Sequence, residues 1–267
     1  MKEKNKIAVI TGATGGIGAE VCKYLLSNNY IILASCRNFE KGDKVRKDLE
    51  KSTSLNSEER LFFIPIDMCS FSSVDGFISM VKERVEQFGG TIDVLINNAG
   101  VISPKFTTTI DGYETSLQVN FLSAKRLTES LIDNLDPVVG KIINTLSCTI
   151  HMWEDKKLSE KEIAQQEKEF MSLKNYSNSK LLLSRYTIEL NDRLPCIMVC
   201  GVDPGVVNTS IITMHRWFDP LANILFRPFI KSVATGAIPM IKAIEYKGQR
   251  TTTLLFKDTN HISPLTR

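Results

Sequence analysis

The sequence predicts a doubly wound α/β fold built on a parallel, seven-stranded sheet. Short, continuous apolar runs alternate with helical segments along most of the chain. Such runs are typical of parallel strands that are covered on both faces, and right-handed crossovers then place helices on both sides of the sheet. A glycine-rich turn directly after the first apolar run agrees with this architecture.

Each strand is predicted from a short apolar run, as in the buried run from Ile7 to Ile10. Each helix is predicted from helical periodicity, and Gly89 and Gly90 are typical of a helix C-terminus. In chain order, the expected strands are 6–11, 30–35, 61–66, 93–97, 141–146, 196–202 and 252–256. The helices between and after them are expected at 17–27, 41–52, 71–88, 111–135, 176–191 and 233–244.

The whole chain, residues 1–267, is predicted to form one domain, because no linker rich in glycine, serine or proline divides it. Two stretches interrupt the alternation. Residues 151–175 form a polar insertion, and residues 208–232 are apolar and are expected to form a substrate lid. Both follow the carboxyl ends of strands, where ligands bind in such sheets.

The composition excludes several classes of protein. A net charge of +3 without a dense basic run argues against nucleic-acid binding. The polar start leaves no room for a signal peptide, so a cytoplasmic location is expected. The closest approach to a membrane span, Trp217 to Ile230, is broken by charges and prolines, and a lid or buried loop is favoured there over contact with a membrane surface. Six cysteines and three scattered histidines show no metal-ligand spacing, so no metal is predicted.

A glycine-rich turn after the first strand predicts a phosphate site. Gly12, Gly16 and Gly18 allow positive φ angles, close approach of the backbone to phosphate, and tight packing of helix on sheet. The following helix offers free N–H groups to an anion. A plain glycine turn is the alternative.

The end of the second strand predicts the choice of cofactor. An NAD-selective site would place a carboxylate there for the ribose hydroxyls, but this chain has Arg37 and Asn38. The Arg37 guanidinium can pair with a 2′-phosphate, so NADP(H) is preferred over NAD(H). A solvated surface arginine is the other reading.

Tyr176 and Lys180 are one helical turn apart and predict an acid–base pair. The Lys180 ammonium, together with the oxidised nicotinamide, is expected to lower the phenol pKa, so that the tyrosine exchanges a proton with the substrate oxygen. Ser147, just past the fifth strand, is expected to hydrogen-bond that oxygen. Taken without the glycine turn and the strand order, the pair would be read as two exposed side chains.

The order of these motifs resembles the short-chain dehydrogenase/reductase family, which has a Rossmann-type fold. The shared features are the glycine turn, the run from Asn97 to Gly100 and the Tyr176/Lys180 pair, and they span roughly residues 6–245. The run from Ser35 to Asn38 and the long gap between Ser147 and Tyr176 look most like the retinol-dehydrogenase-like group. The glycine spacing also fits the epimerase/dehydratase branch.

The resemblance implies a role for each matching position. Asn120 would support a proton-relay water beside Ser147, Tyr176 and Lys180. Asp67 and the Met68 backbone would contact adenine, and the segment 204–209 would hold the nicotinamide carboxamide. The predicted cofactor contacts are Gly12, Thr14, Gly16, Ile17, Gly18, Arg37, Asn38, Asp67, Met68, Asn97, Ala99, Gly100, Tyr176, Lys180, Pro204, Gly205, Val207 and Thr209.

The sequence therefore predicts an NADP(H)-dependent oxidoreductase that interconverts a carbonyl and an alcohol. The apolar side chains of 208–232 suggest a hydrophobic small-molecule substrate, and internal packing or a subunit contact is an equally weighted alternative for them. The fold also suits a homodimer or homotetramer. Two alternatives are a non-enzymatic NADP(H)-sensing regulator and a nucleotide-sugar epimerase or dehydratase.

Overall fold

One eight-stranded sheet forms the centre of the molecule. The structure is a computed structural model that describes residues 5–53, 57–151, 170–207, 231–248, 252–257 and 261–266. The strand order across the sheet is β3-β2-β1-β4-β5-β6-β7-β8. The strands are β1 (Lys6–Ile10), β2 (Tyr30–Cys36), β3 (Leu61–Pro65), β4 (Ile92–Asn97), β5 (Lys141–Thr145), β6 (Met198–Asp203), β7 (Leu254–Lys257) and β8 (His261–Pro264).

Helices cover both faces of this sheet. They are α1 (Gly16–Ser27), α2 (Phe39–Thr53), α3 (Phe71–Gln87), α4 (Thr115–Leu117), α5 (Ser123–Leu131), α6 (Ser172–Arg193) and α7 (Val233–Glu245). A π-helical turn, Gln118–Leu122, joins α4 to α5, and short 3₁₀ turns cover Ile132–Asn134 and Cys148–His151. One core cluster holds α3, α5 and α6 against the sheet, and a second holds α1 and α7 on the opposite face.

Alternation of side chains along the strands builds the two cores. In β1, Ile7 and Val9 pack into the first cluster, whereas Ala8 and Ile10 pack into the second. All four are fully buried. A strand covered on both faces needs apolar residues at consecutive positions, which explains the continuous apolar runs in the sequence. The predicted doubly wound α/β fold is confirmed.

The predicted strand count of seven is wrong, because the described residues form eight strands. The first seven are parallel to their neighbours, and β8 pairs antiparallel with β7. β8 is a four-residue edge strand with exposed Ile262 and a proline at its end. An edge strand lacks the continuous buried run that marked the others, so the sequence pattern did not predict it.

The helix predicted at 111–135 is shorter and is interrupted. It begins at Thr115 because the buried Glu114 caps it, accepting hydrogen bonds from the N–H groups of Ser116 and Leu117 at 2.9 and 2.8 Å. Gly112 precedes this cap with a φ of 83°, a conformation that ends any helical continuation upstream. The π-helical turn then carries Asn120.

The strand order reverses between β1 and β4, which places a crevice at their carboxyl ends. β2 and β3 extend the sheet on one side of this point, and β5, β6 and β7 extend it on the other. Ligands bind at such a reversal in open α/β sheets. Among the residues that the structure describes, no helix is both long enough and apolar enough to cross a membrane.

Candidate active site

The glycine turn after β1 has a shape that only glycine allows at two positions. Gly12 has a φ of 69°, in the left-handed region. A Cβ on Gly18 would lie 2.2 Å from the Gly12 carbonyl oxygen, closer than any real contact. The first turn of α1 therefore lies directly against the turn, which brings backbone N–H groups close to the crevice.

The N-terminus of α1 is open to an anion. Gly15 is the N-cap residue, and neither a capping side chain nor an acidic residue in the first turn neutralises the helix end. Gly16 is exposed, and Thr14 and Ile17 are half-buried at the same rim. Unpaired N–H groups and the positive end of the helix dipole suit a pyrophosphate, so these residues fit the phosphates of a dinucleotide.

A hydrogen-bonded junction joins the glycine turn to the end of β4, and the sequence analysis missed its two central residues. The buried Thr11 hydroxyl accepts from the N–H groups of Asn98 and Ala99, each at 3.0 Å. The Asn98 amide donates to the carbonyl oxygens of Thr11 and Gly12 at 3.0 and 3.2 Å. The sequence feature that could have identified Asn98 is its position directly after the end of a strand.

The run from Asn97 to Gly100 begins in the core and ends at the crevice. The Asn97 amide is buried and donates to Thr128 and Asn144, each at 2.8 Å, so only its backbone remains available to a cofactor. Gly100 lies against two of the side chains predicted to be catalytic, since a Cβ there would be 3.3 Å from Asn120 Oδ1 and 3.4 Å from Lys180 Nζ. A larger residue at position 100 would crowd both.

The end of β2 presents an exposed cation near the turn. Arg37 and Asn38 are exposed, and the Asn38 side chain accepts a hydrogen bond from Lys41 N at 2.9 Å, at the start of α2. Ser35 accepts from Gly12 N at 3.0 Å, which ties the end of β2 to the glycine turn. Arg37 therefore follows by two residues the contact that ties β2 to the glycine turn.

The end of β3 borders the same region. Asp67 accepts a hydrogen bond from Cys69 N at 2.9 Å, and Met68 O accepts from the Ser123 hydroxyl at 2.7 Å. Burial and the Asp67 charge raise the pKa of Cys69, whereas the Arg37 charge lowers it. Arg37 and Asp67 thus both act on Cys69, beyond the end of β3.

Lys180 is buried in α6 and is anchored to β5. Its side chain is 3% exposed and donates to the Thr145 carbonyl oxygen at 2.7 Å. Nζ lies 6.0 Å from the centre of the Tyr176 ring. Burial disfavours the ammonium form and lowers the pKa of Lys180 to about 8.

Burial acts on the Tyr176 phenol in the direction opposite to the lowering of its pKa that is expected from Lys180 together with a bound nicotinamide. Burial raises the pKa of Tyr176 to about 12, a hydrogen bond with Ser147 lowers it, and the charge of Asp203 raises it further. Lys180 Nζ itself donates to the Thr145 carbonyl oxygen. At neutral pH Tyr176 is therefore a protonated phenol, suited to donating a proton.

The Asn120 side chain makes three hydrogen bonds. Its Oδ1 accepts from Val101 N at 2.8 Å, and its amide donates to Val101 O and to the Ser179 hydroxyl, each at 2.9 Å. The side chain therefore fastens the π-helical turn to α6 and to the loop after β4. A proton-relay water could use the backbone of this residue or the second lone pair of Oδ1.

The turn after β6 closes the crevice from the other side. Gly205 has a φ of 72°, and its N–H donates to Asp203 Oδ1 at 2.9 Å. Pro204 and Val207 are buried, and Val207 forms a bridge with Lys231. Asp203, itself buried, is a further residue that the sequence analysis missed.

Parts of the predicted site lie outside the described residues. These parts are Thr209, the segment 208–230 of the predicted lid, and the segment 152–169 of the predicted insertion. The described end of that insertion already belongs to α6, which begins at Ser172 rather than at Tyr176. His151 is exposed. Within the described ranges, no group of histidine, cysteine, aspartate and glutamate side chains could hold a metal ion.

Comparisons with known proteins agree with this geometry. A family model described as short chain dehydrogenase matches residues 6–155. The chain is 32% identical to retinol dehydrogenase 12 of Mus musculus over 87% of this chain and 71% of that protein. It is 30% identical to the WW domain-containing oxidoreductase of Drosophila melanogaster over 88% of this chain, but spans only 57% of that longer protein.

A solved structure shows the same fold. An alcohol dehydrogenase from the archaeon Thermococcus sibiricus, complexed with 5-hydroxy-NADP, matches with a TM-score of 0.68 and 20% identity, covering 98% of each chain. The resemblance inferred from the motifs, including its retinol-dehydrogenase-like character, is confirmed by the family match and by the named relatives.

A substitution at Gly18 tests whether the glycine turn fits the phosphates of the cofactor. Because its Cβ would collide with Gly12 O, Gly18→Ala is expected to weaken NADPH binding severely and to lower the free energy of unfolding by about 1–3 kcal/mol. Fluorescence titration with NADPH and urea denaturation measure the two effects.

Gly76→Ala is the matched control for this substitution. Gly76 lies within α3, and a Cβ there would contact nothing within 4 Å. This variant should bind NADPH normally and gain about 0.5–1 kcal/mol, since alanine favours helix over glycine. Native-like NADPH binding by Gly18→Ala would contradict the proposed fit of the turn to phosphate.

Proposed function

Because this chain belongs to the short-chain dehydrogenase family and is an NAD(P)-dependent oxidoreductase, we propose that it uses NADP(H) to interconvert a hydrophobic aldehyde or ketone and its alcohol. The observation that carries this proposal is the convergence of Ser147, Tyr176 and Lys180 beside a phosphate-binding turn. These three residues and the turn lie at the carboxyl edge of the sheet.

The chain supplies a complete set of groups for holding the dinucleotide. The N-terminus of α1 would bind the pyrophosphate, and the turn beyond β6 would border the nicotinamide end. Thr209 belongs to the same proposed contact. The bound nicotinamide supplies or accepts a hydride.

Tyr176 would provide the proton that a carbonyl oxygen takes up on reduction. A phenol with a pKa of about 12 is protonated at neutral pH and can donate. Once the proton has left, the nearby Lys180 ammonium would attract the phenolate and limit the cost of its burial. Ser147, whose hydrogen bond with Tyr176 lowers the pKa of that phenol, would stabilise negative charge on the substrate oxygen.

The preference for NADP(H) rests on Arg37. Its guanidinium is exposed at the end of β2, close to the glycine turn through the Ser35 contact with Gly12. A planar guanidinium can form two hydrogen bonds to a 2′-phosphate. No carboxylate occupies the equivalent position for ribose hydroxyls.

A hydrophobic substrate is supported by an aromatic pair near the start of α6. Phe106 and Phe170 meet edge to face with ring centres 5.9 Å apart, and both rings are half-buried. Ser172, two residues after Phe170, donates to the carbonyl oxygen of Ser103 at 2.5 Å, which fixes the start of α6 to the loop beyond β4. The relatives named retinol dehydrogenases support the same substrate class. The cytoplasmic location and the homo-oligomer stay predictions from the sequence.

Tyr176→Phe removes the proposed proton donor while it keeps the ring. The rate of NADPH oxidation with 4-nitrobenzaldehyde should fall by about 10²- to 10⁴-fold, the usual contribution of a general acid. The dissociation constant for NADPH should stay within about twofold, because no new charge or cavity reaches the phosphate-binding turn.

Tyr24→Phe is its matched control, since the Tyr24 hydroxyl contacts Glu245 on the exposed surface. Full activity of Tyr176→Phe would exclude Tyr176 as the acid. If the native protein binds NADPH tightly but oxidises it with no aldehyde, ketone or sugar nucleotide in a panel, the NADP(H)-sensing regulator becomes the better reading. Turnover of sugar nucleotides alone would favour the epimerase or dehydratase reading.

Arg37→Gln tests the cofactor preference. Loss of a charged hydrogen bond to the 2′-phosphate should weaken NADPH binding by about 10- to 100-fold and leave NADH binding nearly unchanged. Isothermal titration of both dinucleotides measures the ratio, and Lys47→Gln on the exposed face of α2 controls for net charge. An equal loss for NADH and NADPH would contradict the assignment of Arg37 to the 2′-phosphate.

Asp203→Asn tests the electrostatics of the proton donor. The Asp203 charge raises the pKa of Tyr176, so its removal should lower that pKa. Carbonyl reduction needs protonated Tyr176; its rate is therefore retained at low pH and lost as the pH rises through the pKa. In the variant this loss should begin at a lower pH.

The asparagine keeps an acceptor for the Gly205 N–H, so the turn beyond β6 should be preserved. The pH profile of kcat/KM for 4-nitrobenzaldehyde reduction is the measurement, with Asp48→Asn on α2 as the control for net charge. Coincident alkaline limbs in the native and Asp203→Asn enzymes would exclude a direct effect of Asp203 on Tyr176.

A further inference from the structure

The direction of the Ser147 hydroxyl decides whether it can assist the reaction. A carbonyl oxygen only accepts hydrogen bonds, so Ser147 must point its proton at that oxygen. A serine hydroxyl rotates freely and has one proton and two lone pairs. Ser147 alone therefore does not determine whether it donates or accepts in the crevice.

Thr149 occupies the accepting capacity of Ser147. The Thr149 hydroxyl donates to Ser147 Oγ at 3.1 Å, and the Thr149 N–H donates to the same atom at 3.3 Å. Two accepted hydrogen bonds fill both lone pairs. The Ser147 proton is then the remaining polar group of that side chain, and Tyr176, Cys148 and the substrate oxygen compete for it.

The surroundings of Thr149 hold this arrangement in place. Thr149 belongs to the 3₁₀ turn Cys148–His151, in which Ile150 N donates to Ser147 O at 3.2 Å. Ile150 is buried and anchors the turn. The branched Thr149 side chain has few accessible χ1 rotamers, so its hydroxyl direction is restricted.

We infer that Thr149 is a positioning residue, which fixes Ser147 as a hydrogen-bond donor to the substrate oxygen. This inference rests on the proposed carbonyl reduction. Thr149 acts through Ser147 and accelerates the step by restricting the serine hydroxyl to the donating orientation before the substrate arrives.

Thr149→Val and Thr149→Ser separate the hydroxyl from the shape of the side chain. With NADPH and 4-nitrobenzaldehyde, Thr149→Val should lower kcat by about 3- to 10-fold, the effect of one hydrogen bond, with little change in KM for NADPH. Thr149→Ser keeps the donor and should restore kcat to within about twofold of native. Equal losses in both variants would overturn the inference, because they would point to packing.

A double-substitution cycle with Ser147→Ala tests whether Thr149 acts through Ser147. If it does, Thr149→Val should have no further effect on kcat once the serine hydroxyl is absent. A full additional loss in the Ser147→Ala background would show an independent role and would overturn the inference. Native activity of Thr149→Val together with an inactive Tyr176→Phe would reject the role of Thr149 alone. Native activity of Tyr176→Phe would reject the proposed function itself.

Discussion

The junction between the ends of β1 and β4 is the constraint on which the rest of the site depends. Thr11 and Asn98 exchange hydrogen bonds across the point where the strand order reverses, using a buried hydroxyl and a side-chain amide. Buried polar groups of this kind are costly unless every partner is present, so the junction has one stable arrangement. The junction fixes the position of the glycine turn relative to the loop that carries Gly100.

From this junction the position of the reacting groups follows. Gly100 leaves room for Asn120 and Lys180 to approach it together, and Asn120 ties the π-helical turn to α6 through Ser179. Helix α6 then presents Tyr176 toward Ser147. The glycine turn after β1 and the proposed acid–base groups are therefore connected by a series of short-range contacts.

Much of this could be predicted from the sequence because it depends on local patterns. Continuous apolar runs predicted seven strands, and the spacing of Tyr176 and Lys180 placed both on one turn of a helix. Contacts between distant segments left no such pattern. The core orientation of Asn97, the Thr11–Asn98 junction and the Asp203 charge near Tyr176 each depend on residues that meet only after folding. β8 was not predicted because a short, exposed edge strand lacks a continuous run of buried apolar residues.

The protonation of the pair shows why contacts matter more than spacing. One helical turn between a phenol and an amine suggested that the ammonium acidifies the phenol, yet Lys180 donates to Thr145 O and burial raises the pKa of Tyr176. A lysine with a pKa of about 8 can lose or regain a proton near neutral pH. The pair is then suited to a cycle in which Tyr176 donates first and the lysine charge stabilises the phenolate afterwards.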